Sequence, residues 1–93
     1  RGAVDGEIQE EVTMSLYPNP AGQTATLSFG SAKESDYQIR VINALGQSVY
    51  RSEGRASEGT NPIELNLENL KPGLYIVQLL QEGNRQQLNM MKR

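Results

Sequence analysis

The sequence predicts an all-β domain, an Ig-like β-sandwich of about seven antiparallel strands. Three observations predict it. Apolar and polar residues alternate with a period of two in several short runs, the pattern of strands with one dry and one wet face. Turn-forming residues separate these runs at steps of about ten residues. No window of about eleven residues carries a helical stripe, although residues 65–70 have room for one loose helical turn.

The first strand is short and stops hard. Residues 14–17 run into Pro18, Asn19 and Pro20. Two prolines remove two backbone donors and bias Tyr17 and Asn19 toward extended backbone. Asn19 between them is a turn former, because its side chain can bond the backbone. Ala25, Leu27 and Phe29 then alternate with hydroxylated residues, so these three share an inward face. Tyr37, Ile39 and Val41 repeat the pattern, as do Ile63, Leu65 and Leu67. Asn43-Ala44-Leu45-Gly46 reads as a tight turn with glycine at the left-handed position, returning through an inward Val49. Residues 58–62 (Glu-Gly-Thr-Asn-Pro) read as another turn. At Pro72-Gly73 a corner launches residues 74–80, apolar on both faces except at Gln78, with Tyr75 just inside. Such a strand is either central with its second face covered, or part of an interface. The last strand starts after Glu82-Gly83-Asn84 and is rich in amides. Leu88 and Met90 lie on one of its faces, Asn89 and Met91 on the other, and Lys92 and Arg93 form an exposed, charged tip. An edge position would leave its backbone open to another strand. With the two-faced strand before it, that predicts edge-to-edge homodimers or strand exchange.

Ninety-three residues support one domain with a single core. Residues 1–13 are acidic and poor in large apolar side chains, so they read as a poorly ordered linker from a parent protein, with the domain at 14–93. The chain contains no Cys, His or Trp. Disulfides, thiolate or imidazole metal sites and nucleophiles paired with His are therefore excluded, and nothing implies a cofactor. Eleven acids against nine bases give a net charge of −2, which provides no basic field for nucleic acid. Glu64 and Glu68 are the carboxylates best placed for acid–base work, and a wet strand face accounts for them as solvated charges.

Three marks in this order resemble a known family: Leu16-Tyr17-Pro18-Asn19-Pro20, the run from Val41 through Asn43 and Gly46 to Val49, and the run from Leu70 through Gly73 and Tyr75 to Leu79. The chain resembles the type A C-terminal sorting domain of the type IX secretion system of Bacteroidetes, over residues 14–93. Two positions depart from that pattern. Asn43 stands where Asp is common, and Gln86-Gln87-Leu88-Asn89-Met90-Met91 lacks the family's internal Lys. The resemblance implies a non-catalytic signal made of folded protein, carried at the end of an upstream cargo. The cargo enters the periplasm by an ordinary signal peptide, and the outer-membrane translocon recognises the domain. A cell-surface sortase with cysteine-protease chemistry then removes it and joins the cargo to anionic lipopolysaccharide. On that reading Gly73, Tyr75, Leu88, Met90, Met91, Lys92 and Arg93 are the residues expected to meet the translocon, the open last strand being captured by β-augmentation. The small residues Gly2, Ala3 and Gly6 mark the cleavage region within an extended segment. The alternative is an Ig-like or fibronectin-like module that binds carbohydrate or protein. A carbohydrate platform needs outward aromatics, and only Tyr17 and Tyr50 are expected to face out.

Overall fold

Period-two patterning produces seven antiparallel strands: β1 (Met14–Tyr17), β2 (Thr24–Ser31), β3 (Ser35–Ile42), β4 (Ser48–Ala56), β5 (Gly59–Asn66), β6 (Gly73–Gln81) and β7 (Asn84–Lys92). A computed structural model describes residues 14–93; the expected linker at 1–13 and the cleavage region at Gly2, Ala3 and Gly6 lie outside the described residues. One sheet has the order β1-β2-β5 and the other β4-β3-β6-β7. The two form a β-sandwich. In the seven-stranded immunoglobulin constant arrangement the fourth strand sits in the sheet with the first, second and fifth. Here β4 pairs with β3 instead.

The core lies where the inward faces of the two sheets meet. Leu27, Phe29 and Leu65 from the first sheet and Ile39, Val41, Val77, Leu79 and Met90 from the second are essentially inaccessible. Phe29 and Tyr37 meet edge to face across the sheets at 5.4 Å between centroids, a geometry that aligns a ring edge with the partner's π face. Tyr37 lies opposite Gly54. A Cβ added there would sit 2.5 Å from the Tyr37 hydroxyl, so the glycine makes room for the ring.

Several expectations are corrected. Val49 points outward, 37% exposed. The β3–β4 register slips at Val41/Ile42, so that Val41 faces Tyr50 and Ile42 faces Ser48. The bulge leaves Val49 without a partner and turns Tyr50 inward to pack on the core. Tyr50 is thus no outward aromatic, whereas Tyr17 is half exposed. The turn expected at 58–62 is shorter, because β5 already begins at Gly59. Asn61 makes that possible. Its side chain accepts from Ser57 N and donates to the Ser57 and Gly59 carbonyls, closing the β4–β5 connection from inside the strand. Residues 67–70 form a hydrogen-bonded turn, with Leu70 N donating to Leu67 O, rather than a helical turn. The two-faced strand β6 is central, between β3 and β7.

Candidate functional site

The three sequence marks converge on one end of the sandwich. There β1, β3, β5 and β7 end while β2, β4 and β6 begin. Each mark is a device in which a side chain satisfies main-chain groups that the strand ladders leave unpaired.

The Pro-Asn-Pro corner carries the chain from the first sheet to the outer edge of the second. Asn19 Nδ2 donates to Asn89 O at 3.1 Å, and Asn19 Oδ1 accepts from Met91 N at 3.0 Å. A carboxamide has the donor and acceptor of a peptide group, so Asn19 stands in for one residue of an added strand. The backbone continues the pairing. Ala21 N donates to Met91 O at 2.7 Å, and Ala21 O accepts from Arg93 N at 2.9 Å. Ala21 itself is fully buried. The Tyr17-Pro18 and Asn19-Pro20 bonds are both cis.

At the second mark Asn43 Oδ1 accepts from the main-chain N–H groups of Leu45 and Gln47. Gly46 holds a φ of 86°, in the region open to glycine. Aspartate has the same acceptor oxygen, so the Asn-for-Asp departure keeps both bonds; only the Asn43 Nδ2 to Gln47 Oε1 bond needs the amide.

The third mark is a tyrosine closure. Tyr75 is 8% exposed, and its hydroxyl donates to Lys71 O at 2.6 Å across the Pro72-Gly73 corner. A phenol that bonds the backbone a few residues upstream is the device that pins a corner in many sandwiches. Gly73, at φ 152°, starts the strand.

These devices revise the expected recognition residues. Lys92 is not part of an exposed charged tip. It is 7% exposed, follows Leu88 and Met90 on the inward face, and turns its amine onto Arg93 O at 2.9 Å. A lysine stem packs as an apolar chain while its head reaches a polar group, which is why charge alone misplaced it. Nor is the whole edge of β7 open. Asn19 and Ala21 occupy the stretch around Asn89, Met91 and Arg93, and only the part near the β6–β7 hairpin lacks a strand partner among the described residues. Met90 is buried and Leu88 half-buried against the core. Of the last strand's expected contacts, Met91 and Arg93 are exposed.

Sequence reasoning missed the neighbours that complete this end. Leu74 is 61% exposed and Leu45 83%. Leu74 lies directly opposite Met91. Ile42, Ala44, Leu74 and Ile76 line an open groove of about 380 Å3 with Asn43, Gly46, Tyr75 and Asn89. The signal was the apolar second face of residues 74–80. A larger concavity of about 780 Å3 lies at the other end, among Asp36, Gln38, Glu53, Arg55 and Gln81; it contains none of the three marks. Among the described residues no group of acids is arranged to hold a metal.

Residues 15–92 match the family model described as the secretion system C-terminal sorting domain. The chain belongs to that family. It is a sorting domain of the type IX secretion system, and the three marks lie within the matched residues and form one closed end of the sandwich. No curated protein matches the chain. Among solved structures, dimeric latent PorU from Porphyromonas gingivalis is similar in fold, with a TM-score of 0.74 at 17% identity. The likeness covers 96% of this chain and 10% of that one, so this chain spans about a tenth of that protein's length. A beta-glucosidase from Listeria innocua aligns over 88% of this chain and 16% of that one at 14% identity and a TM-score of 0.47.

Proposed function

We propose that this domain directs an upstream cargo protein from the periplasm through the outer-membrane type IX translocon. A cell-surface sortase then removes the domain, and the cargo stays at the surface. The family match over residues 15–92 carries this reading. The geometry supports it in a specific way: the three family marks, spread across the chain, meet at one end, as expected if a partner reads the folded end and not a linear peptide. The linker at 1–13, with Gly2, Ala3 and Gly6, is the segment proposed to be cut. The exposed residues at the marked end, Met91, Arg93 and the Gly73 corner, are proposed contacts. Tyr75, Met90 and Lys92 act from within by holding that end in shape.

The test is a reporter carrying the signal peptide and this chain at its C-terminus, expressed in a bacterium with an active type IX system. The reporter is expected outside the cell with the domain and in the periplasm without it. Equal export of both would refute the sorting role.

A further inference from the structure

On the outer face of the four-stranded sheet the register fixes which side chains share a level. Leu74 faces Met91, and one step inward Ile42 faces Ile76, which faces Asn89. The next level holds Arg51, Arg40, Gln78 and Gln87. In the other direction Arg93 continues the outward alternation of Asn89 and Met91, just beyond the Gly73–Lys92 pair. An apolar stripe is therefore bracketed by cations, Arg93 on one side and Arg40 with Arg51 on the other. Among the described residues no acid shares these levels. The first on this face is Glu53, which accepts from Gln38 and pairs with Arg51 at 3.7 Å. Arg40 and Arg93 form no ion pair among the described residues.

Two features of this face oppose folding. Arg40 and Arg51 are directly opposite, and like charges so placed repel. Leu74 and Met91 leave large apolar side chains in water, a mark of interaction surfaces when they cluster. A bound partner with acids at the two cationic levels and apolar side chains between them relieves both. Six residues of strand separate the level of Arg93 from that of Arg40, which is about 20 Å.

We propose that this stripe is the docking surface for an extended segment of a partner protein, with two acidic residues about six positions apart bracketing apolar side chains that enter the Ile42–Leu74–Ile76 groove. Charge complementarity selects this occupant: a basic or amide-flanked strand would leave Arg40 and Arg93 unmatched. The proposal rests on the sorting reading and names the part of the domain that its partner touches.

The experiment uses the same reporter with two double variants, Leu74→Asp/Met91→Asp for the stripe and Arg40→Glu/Arg93→Glu for its ends. Glu64→Lys on the opposite sheet is the control, and each domain's melting is followed by circular dichroism. Both double variants are expected to fold, with export reduced at least tenfold, while the control exports normally. Arg40→Lys/Arg93→Lys is expected to restore most of the export. Because Arg40 and Arg93 form no ion pair among the described residues, the charge variant remains informative if the stripe variant unfolds. Normal export of the folded Arg40→Glu/Arg93→Glu variant overturns the proposal, provided that the reporter without the domain is retained. If the reporter without the domain is exported too, the sorting reading has failed instead. Sedimentation supplies a further check: a wild-type dimer that Leu74→Asp dissociates, with export unchanged, assigns the stripe to a second copy and overturns the proposed occupant.

Discussion

The two ends of this sandwich are closed by different chemistry. At the marked end, Asn19, Asn43 and Tyr75 bond main-chain groups at 2.6–3.1 Å, and Leu45, Leu74 and Met91 remain exposed. At the opposite end Gln81 donates to the hydroxyls of Ser31 and Ser35 at 2.8 Å, and both serines are buried. Around them lie exposed ion pairs, Arg55 with Glu34 and Asp36, and Lys33 with Glu82. That end presents charge to water, an ordinary way to finish a sandwich. The marked end fixes its backbone with side chains and leaves apolar side chains exposed among the described residues, as interaction surfaces do. The difference teaches that the three marks shape a surface while contributing few of its exposed side chains.

The largest effect is expected at the tyrosine closure. Tyr75→Ala removes a buried ring and the bond to Lys71 O, and should destabilise the domain by about 3–5 kcal/mol, the range for truncating large buried aromatics. Urea unfolding measures it. A cost below about 1 kcal/mol would mean that the Pro72-Gly73 corner holds without its tyrosine.

Asn19→Ala comes next. It removes two hydrogen bonds, each with a net value of about 0.5–1.5 kcal/mol, so the combined cost should be about 1–3 kcal/mol. Amide exchange separates this local effect from global loosening. The Met91 N–H should exchange faster in the variant, whereas amides of β3 should follow only the change in overall stability.

The smallest effect belongs to the charged end. Arg55→Ala loses the contacts to Asp36 and Glu34, yet exposed pairs contribute little. The expected loss is within about 0.5 kcal/mol, and export should be unchanged. A cost as large as that of Asn19→Ala would erase the distinction between the ends.

How far each element was legible follows from the range of the forces involved. The alternation in β2, β3 and β5 placed Leu27, Phe29, Ile39, Val41 and Leu65 in the core, because a period of two and one dry face are local properties. Val49 was misplaced because the bulge beside Val41 depends on pairing, which no single strand records. Lys92 was misplaced because composition treats lysine as a surface charge, while its stem follows Met90 into the interior. Asn19 was legible as a corner, but its partners lie 70 and 72 residues away. Those contacts convert the last strand from an open edge into one held on both sides near its end. The apolar outer face of β6 was visible in the sequence; its alignment with Met91 and its bracketing by arginines emerged only from the register.

If the marked end is what the export machinery reads, damage there must matter beyond its cost in stability. The direct test compares reporter export for Asn19→Ala with that for Ile39→Val, a fully buried mid-sheet position whose truncation by one methyl costs about 0.5–1.5 kcal/mol. Urea midpoints, shifted with a second conservative core change where needed, bring the two domains to equal stability. At equal stability the account predicts normal export for the core variant and a severalfold loss for Asn19→Ala. Equal export from the two domains would contradict it, leaving the Pro-Asn-Pro corner as one more contribution to folding.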